Sequence, residues 1–333
     1  MTPAPRTSVP HPGRPARYTA RSPEDLVALV PVVLGFEPSE SVTMLTFGAT
    51  RQFHARVDLP PVDDRGGHAL AEVVDSLLEP SLRHGVRRVV LVLHARRRRQ
   101  ARRTAEALER AFTAAGIEVV EALRVDGGVW WPAAGPGATG DGTPLPDGPH
   151  PFAVRSVVEG RVTHGSREDL AATLARDEEA TGAVERALGP APGSACGSAN
   201  GATARTAAAV TDLLDRRVPG SAAASDAEVA GLLLALEDVD ARDAAWMHMR
   251  RDTAPDHVGF WTDVVRRAPE PHVADAAAML GFAAWLAGHG ALAWCALDRC
   301  LEVEPDHPMA VQVSFLLEHA VPPHDWDRVS RAG

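Results

Sequence analysis

Three hydrophobic patterns occur along the chain, two typical of strands in its N-terminal part and one typical of helices in its C-terminal part. In residues 53–59, apolar and polar residues alternate, which is typical of a strand and places every second side chain on the same face. Residues 89–93, VVLVL, form a continuous apolar run, as in a strand that is buried on both faces. After Thr203, the apolar residues recur at helical spacing. The pattern predicts an α/β N-terminal domain, a mixed sheet with covering helices, followed by an all-α domain.

Turn residues and caps divide the first domain into elements. Ser22 can cap a helix that has Pro23 at its first position, and Gly127 and Gly128 join two strands in a hairpin. Strands are predicted at 41–47, 53–59, 89–93, 117–125 and 129–131, and helices at 67–82, at 97–115 and from 167 onward. Between residues 132 and 151, eleven of twenty residues are glycine or proline, which predicts a loop or flexible flap.

Shifts in composition set the predicted boundaries. The first twenty residues are rich in proline and arginine, and residues 189–201 are mostly glycine, alanine, serine and proline, as in a linker. Beyond them a capping box, Ser225 with Glu228, precedes an apolar helix. The predicted units are a disordered tail at 1–20, the α/β domain at 21–187, a linker at 188–202, the helical domain at 203–320 and a tail at 321–333.

The end of the helical region has the spacing of a helical repeat. Leu280, Gly281, Gly288, Ala293 and Pro305 lie at the mutual distances of a tetratricopeptide hairpin, whose period is about 34 residues. Small residues let two antiparallel helices approach closely, but such a pair cannot bury its apolar face alone. We therefore predict one tetratricopeptide-like helical hairpin that is stacked between other helices.

Charged residues are distributed unevenly along the chain. Residues 221–333 contain 18 acidic residues and 8 arginines, whereas residues 1–220 contain 26 of each, so the net charge of −10 lies in the C-terminal part. Lysine is absent, which excludes mechanisms that need a lysine Schiff base or a phosphate-loop lysine. The acidic C-terminal half argues against a nucleic-acid partner and favours a basic protein partner.

Cysteine content and hydropathy predict a cytoplasmic protein. The three cysteines, Cys196, Cys295 and Cys300, cannot form a disulfide framework, which is typical of a reducing compartment. The first twenty residues lack the apolar segment of a secretory signal. The longest apolar runs, 26–36 and 276–288, are shorter than the roughly 18 residues that a membrane span needs. We therefore expect no membrane association.

Several segments in a fixed order carry a resemblance to a known family. They are PVVLGFEPSESV at 31–42, RVDLP at 56–60, the tryptophan pair at 129–131, AWLAGHGALAWCALDRC at 284–300 and EPDHP at 304–308. Over nearly the whole chain they resemble the actinobacterial DUF4192 family, a domain of unknown function, which implies an architecture and no chemistry. The loop after the tryptophan pair often has cysteines in that family, whereas PAAGPGATGDGTPLP here has none. This departure argues against a thiol or metal role for the loop.

One polar strand face and the adjoining turn form a candidate ligand site. His54, Arg56 and Asp58 are two residues apart on one strand, so their side chains share a face at a spacing of about 7 Å. Gly35 allows the sharp corner before this hairpin, and Ser41 begins the preceding strand. Two interpretations remain open. The face is a site in which Arg56 contacts an anion and Asp58 orients Arg56 or accepts from a ligand hydroxyl, or it is a solvated face with an Arg–Asp pair.

Residues 83–103 contain nine arginines and no acidic residue. Four of these arginines, 96–99, lie at a predicted helix start, where positive charge opposes the helix dipole. An anion or an RNA phosphate would relieve this repulsion. We favour a solvated face, because no aromatic residues alternate with the arginines to stack on bases.

Two further groupings lie in the helical region. Arg242 and Asp243 form a candidate charge pair that either fixes helix packing or faces a partner-binding groove. Cys295 and Cys300, with two later histidines at the same spacing, superficially match a set of zinc ligands. Five helical residues turn through about 500°, which leaves the two thiols about 140° apart. We therefore predict no metal site.

The functional expectation follows from what these groupings offer. The chain has no His–Glu zinc pair, nucleophile elbow or phosphate-loop motif, so no catalytic residue is named and an enzyme is not favoured. The favoured hypothesis is a binding or scaffold protein without a cofactor, whose helical half binds a protein partner. The alternative is that the α/β half binds or processes a small anionic ligand, a nucleotide or a phosphorylated metabolite.

Overall fold

The computed structural model describes residues 18–48, 53–64, 66–189, 199–219 and 223–326 of the 333-residue chain. Most of the predicted N-terminal tail, Cys196 and much of the predicted linker lie outside the described residues.

A six-stranded sheet forms the centre of the N-terminal half. Its strands are β1 (Ser41–Phe47), β2 (His54–Asp58), β3 (Arg88–His94), β4 (Glu118–Asp126), β5 (Val129–Pro132) and β6 (Thr143–Pro144). They are ordered β2-β1-β3-β4-β5-β6, and β3 and β4 are parallel whereas the other neighbouring pairs are antiparallel. The prediction of a mixed sheet is therefore confirmed.

Four helices cover the two faces of this sheet. They are α1 (Pro23–Leu34), α2 (His68–Arg83), α3 (Arg98–Ala114) and α4 (Pro151–Val158). Helices α1 and α4 pack on one face, and α2 and α3 pack on the other. Val42 and Met44 of β1 lie in the core under α2 and α3, and Leu45 lies in the core under α1. Because strand side chains alternate, Ser41 and Thr43 share the face of Leu45.

The nine remaining helices in the described ranges build the C-terminal half around one apolar core. They are α5 (Arg167–Ala172), α6 (Glu178–Leu188), α7 (Ala199–Arg217), α8 (Asp226–Ala235), α9 (Val239–Met247), α10 (Ala254–Arg267), α11 (Val273–Leu286), α12 (Gly290–Leu301) and α13 (Pro308–Glu318). Every residue of α11 except Asp275 is buried, as expected for a helix that is apolar on all sides. No helix among the described residues is both long and apolar enough to cross a membrane.

Helices α5 and α6 contribute to this core through Leu170, Leu174 and Val184. The chain therefore enters the helical half before the predicted linker at 188–202, and the division into domains stays a prediction. Helices α11 and α12 are in close contact, because a Cβ atom on Gly281 would lie 2.8 Å from Leu297 Cδ2. This approach agrees with the spacing of small residues, but the tetratricopeptide-like assignment also stays a prediction.

The glycine- and proline-rich segment 132–151 is more regular than the predicted flap. It contains strand β6 and a 3₁₀ turn at Pro136–Thr139. The Trp131 Nε1–H group donates to the Gly140 carbonyl at 3.1 Å, and the Leu145 N–H group donates to the Gly128 carbonyl at 2.8 Å. These contacts supply the stabilisation that the segment lacks in apolar side chains of its own.

Candidate functional site

Polar side chains from three neighbouring strands meet on the face of the sheet that carries α1. Thr43 of β1 pairs with Arg56 of β2, and Ser41 lies between Asp58 of β2 and His94 of β3. Directly opposed residues on neighbouring strands are about 5 Å apart, and successive residues on one face of a strand are about 7 Å apart. We call Ser41, Thr43, Arg56 and His94 the sheet-face cluster.

The four members of the sheet-face cluster contain buried polar atoms without a hydrogen-bond partner among the described residues. These atoms are Ser41 Oγ, Thr43 Oγ1, Arg56 Nε and His94 Nδ1. Ser41 and Thr43 have no exposed surface at all. Buried polar groups in native proteins are nearly always paired, and an unpaired one costs about 1–3 kcal/mol. Such atoms on adjoining strands mark a place where a ligand or bound water can supply the missing contacts.

Arg56 is held in place across this cluster. Its Nη2 atom lies 2.7 Å from Asp58 Oδ1 and donates to the Ser39 carbonyl at 3.3 Å. The guanidinium group also lies over the Phe36 ring, 5.9 Å from the ring centroid. The Arg56 side chain is 19% exposed and the Asp58 side chain is 79% exposed. The cation is therefore fixed on its inner side, and its carboxylate partner is mostly in solvent.

The histidines on this face are uncharged at neutral pH. Burial lowers the pKa of His94 to about 4, with a smaller contribution from the positive charge of Arg56. Burial also lowers the pKa of His54 to about 4. A neutral imidazole has one donor and one acceptor nitrogen, so an unpartnered Nδ1 atom can serve either role, depending on the tautomer.

His54 lies apart from the sheet-face cluster. It pairs with Leu45, four residues along β1 from Ser41, so it is about 13 Å from the Ser41 end of the sheet. Its Nδ1 atom is buried without a partner among the described residues. Of the predicted polar ribbon, the structure therefore brings Arg56 and Asp58 together with Ser41 and places His54 elsewhere on the same face.

The Gly35 corner shapes one edge of the cluster. Gly35 ends α1 with φ at 81°, a conformation that favours glycine, and its N–H group donates to the Pro31 carbonyl. Phe36 then forms a parallel bridge with His164, which leads into α5 of the helical half. Gly35 thus has a structural role at the site, because it positions Phe36 under the Arg56 guanidinium group.

Glu40 connects the Gly35 corner to the segment between β3 and α3. Its φ of 40° is unusual for a residue with a side chain, and such strain occurs most often at functional sites. The Glu40 carboxylate accepts from the Arg96 N–H group at 3.3 Å, which ties the corner to the start of α3. The backbone on both sides of Ser41 and His94 is therefore fixed.

Sequence reasoning missed Thr43, His94 and Glu40. Thr43 had a detectable signal, because Ser41 and Thr43 alternate with Val42 and Met44 and therefore share one face. His94 follows a buried strand and carried no sign of its partner. Its position opposite Ser41 depends on the antiparallel pairing of β1 with β3.

The predicted pair in the helical half has a different partner. Arg242 Nη1 lies 3.1 Å from Asp275 Oδ1 of α11, whereas Asp243 is exposed. The same Asp275 oxygen lies 3.0 Å from His307 Nε2, and His307 Nδ1 accepts from the Ala310 N–H group at the start of α13. The proposed Arg242–Asp243 pair is therefore replaced by a link between α9, α11 and α13. Whether this region also faces a partner stays a prediction.

The cysteines and cavities lie away from the sheet-face cluster. Cys295 and Cys300 are buried free thiols, and burial raises the pKa of Cys300 to about 12. Within the described ranges, no group of three or more potential ligands is arranged to hold a metal ion. One cavity of about 390 Å³ lies between α7 and α8, and another of about 190 Å³ borders α3. Neither is lined by the sheet-face cluster, whose Ser41 Oγ, Thr43 Oγ1, Arg56 Nε and His94 Nδ1 atoms are buried.

Comparison with known proteins gives one match. The family model described as "Domain of unknown function (DUF4192)" matches residues 23–324, which include the whole sheet and both halves of the chain. No curated protein and no solved structure matches the chain.

Proposed function

The chain belongs to the DUF4192 family, whose description states no activity, and we propose that its α/β half binds a small anionic ligand at the sheet-face cluster. The observation that carries this proposal is the set of four buried polar atoms on three adjoining strands that have no partner in the described part of the chain. Arg56 supplies the positive charge, and the Ser41 and Thr43 hydroxyl groups supply donors or acceptors beside it.

The free-energy cost of burying the polar groups of the sheet-face cluster favours a ligand site over a purely structural role. The surrounding positions on β1, β3 and β4 are filled with apolar side chains that form a core under α1. An apolar residue at position 43 would continue this core without a buried hydroxyl group. A polar group that is kept at a cost to stability is typical of a site that serves binding.

Binding is better supported than catalysis. Ser41 and His94 are cross-strand neighbours, but no hydrogen bond joins the two side chains among the described residues. A general base works best with a pKa near the working pH, whereas burial holds the pKa of His94 near 4. The pair therefore lacks the features of an activated nucleophile.

The test is ligand-induced thermal stabilisation of the full chain, screened with nucleotides, phosphorylated metabolites and small carboxylates. Arg56→Ala is expected to abolish the stabilisation by any ligand that binds wild type, with little change in the melting temperature of the free protein. Arg83→Ala is the matched control, because Arg83 also lies 2.7 Å from an exposed carboxylate and donates to a carbonyl at 3.3 Å. Equal stabilisation of wild type and Arg56→Ala would exclude the site.

A second candidate is protein binding by the helical half. Val311 and Phe315 lie one turn apart on α13 and are 53% and 55% exposed, and Met247 is 65% exposed. Large exposed apolar side chains within an acidic region fit a basic partner that also has an apolar surface. In this proposal the α11–α12 pair is the tetratricopeptide-like hairpin of the helical half. The cytoplasmic location of the protein also stays a prediction.

The test of the second candidate is a pull-down with the full chain at low and moderate salt. Wild type is compared with a Val311→Ser, Phe315→Ser double variant, which removes the apolar surface and leaves the charge unchanged. A partner that is recovered with wild type and lost with the variant supports this function. Recovery of the same proteins with both baits would exclude α13 as the contact.

A further inference from the structure

The charges around the sheet-face cluster restrict the ligand that it can take. Arg56 is the only cation of the cluster, and the Asp58 carboxylate 2.7 Å away already neutralises it. The pKa values near 4 leave His94 and His54 uncharged at neutral pH. Arg96 is paired with Glu40 at the neighbouring corner. At the start of α5, Arg167 interacts with Asp58 but is itself paired with Asp298 at 2.8 Å, and the negative charge of Glu168 acts on Arg56. Each of these cations therefore has a carboxylate beside it, and the buried atoms without a partner among the described residues belong to two hydroxyls, one guanidinium N–H and one neutral imidazole.

A doubly charged phosphate group does not match this arrangement. Phosphate sites in proteins combine several cations or several backbone N–H groups, as at the start of a long helix. Here one guanidinium group faces two hydroxyls, which suits a single negative charge next to neutral oxygen atoms. A carboxylate pairs with a guanidinium group in the same geometry that Asp58 uses.

Asp58 is the part of the cluster that a ligand can replace most easily. Its side chain is 79% exposed, and exposed ion pairs contribute little to stability. The inner side of Arg56 stays fixed by Phe36 and by the Ser39 carbonyl when Asp58 leaves. Loss of the Asp58 contact also frees the outer end of the Arg56 side chain, which lies on the strand position paired with Thr43.

On the basis of the proposed function, we infer that the sheet-face cluster binds a hydroxylated monocarboxylate, whose carboxylate takes the place of Asp58 on Arg56 and whose hydroxyl groups pair with Ser41, Thr43 and His94. Ser41 lies about 5 Å from His94 and about 7 Å from Thr43. A linear chain of four to six carbon atoms has the length to reach from the guanidinium group to these positions. Asp58 acts as an internal competitor that sets the affinity.

The experiment is isothermal titration of the full chain at pH 7.5 with three probes of equal carbon number. Gluconate is the hydroxylated monocarboxylate, sorbitol is its uncharged counterpart, and glucose 6-phosphate carries a doubly charged group. We expect wild type to bind gluconate at least tenfold more tightly than sorbitol or glucose 6-phosphate. Thr43→Val is expected to weaken gluconate binding by about tenfold, the factor for one good hydrogen bond.

Asp58→Asn provides the decisive comparison. Removal of the competing charge is expected to tighten gluconate binding about fourfold, the factor for two unit charges about 5 Å apart in water. Glu79→Gln is the matched control, because Glu79 is a 71% exposed carboxylate that lies 2.7 Å from Arg83 on the other face of the sheet. This control is expected to leave the affinity unchanged.

The outcomes separate this inference from the proposed function. Binding of glucose 6-phosphate or a nucleotide in preference to gluconate, with loss in Arg56→Ala, would overturn the ligand class and leave the anion site standing. Weaker gluconate binding by Asp58→Asn would overturn the role of Asp58 as a competitor. If no probe or screened ligand binds wild type or Asp58→Asn, the ligand class and the proposed function both fall.

Discussion

Replacement of Thr43 by valine tests whether the sheet-face cluster is maintained at a cost to stability. Thr43 has no exposed surface, and its Oγ1 atom has no partner among the described residues. Valine has nearly the same shape and lacks the hydroxyl group. A buried, unpaired hydroxyl costs about 1–3 kcal/mol, so Thr43→Val is expected to raise the free energy of unfolding by that amount. For a chain of this size the melting temperature should rise by about 1–4 °C.

The same strand provides a control of opposite sign. Thr46 is also fully buried, but its hydroxyl group donates to the Phe53 carbonyl, and its oxygen accepts from the Phe53 N–H group at 3.3 Å. Thr46→Val removes these contacts and leaves backbone groups unpaired, so it is expected to lower the free energy of unfolding by about 1–3 kcal/mol. The two variants have the same change in atoms on the same strand, and both sites are fully buried, although Thr46 lies on the opposite face of the sheet.

Denaturant unfolding and thermal melting of both variants in the ligand-free state provide the measurement. The reasoning is refuted if Thr43→Val is destabilised as much as Thr46→Val, because the Thr43 hydroxyl group would then already have a partner. If Thr43→Val is more stable than wild type and binds gluconate with the same affinity, the unpaired hydroxyl group is costly but does not contact the ligand.

Three further predictions concern stability. Burial lowers the pKa values of His54, His94 and His257 to about 4, 4 and 3. As the pH falls, these histidines therefore bind protons in the unfolded chain before they do so in the folded protein. Denaturant melts should show full stability above about pH 6.5 and a loss of up to about 2 kcal/mol per histidine at pH 5. Invariant stability over this range would contradict their burial. Arg267→Ala should lower the free energy of unfolding by about 3 kcal/mol in the same assay, because the buried guanidinium group donates hydrogen bonds to two carboxylates and a carbonyl. A loss below 1 kcal/mol would show that these hydrogen bonds contribute little. Gly281→Ala should lower the stability by about 1 kcal/mol in melting experiments, because the new methyl group meets Leu297 of α12 and the gain in helix propensity only partly offsets this clash. An unchanged or higher stability would contradict the close packing of α11 and α12.

Local patterns were sufficient to locate most elements. The predicted strand at 41–47 coincides with β1, because alternation and the glycine that follows define both of its ends. The Ser225 capping box is formed as its spacing predicts, since all of its contacts lie within four residues. Arg56 and Asp58 were selected for the same reason, because a strand's period of two fixes which side chains share a face. Ser41 was selected because it begins the preceding strand.

Contacts between distant segments required the tertiary structure. The composition of segment 132–151 did not predict β6. This segment is held by main-chain hydrogen bonds to β5 and by the hydrogen bond from the Trp131 ring, and composition does not reveal either. Arg242 pairs with Asp275, which is 33 residues away, and not with its neighbour Asp243, because successive helical residues point in different directions.

The sequence by itself determined the order of strands β1 to β5 with helices α1 to α3, the change from α/β to helical architecture and the polar face of β2, because each depends on periodicity over a few residues. Only the tertiary structure decided that β1 lies between β2 and β3, which places His94 beside Ser41 and Thr43 beside Arg56. Strand register and neighbour order follow from the packing of the whole sheet between its helices. The polar atoms of the sheet-face cluster, which have no partner among the residues that the structure describes, are removed from water only by that packing.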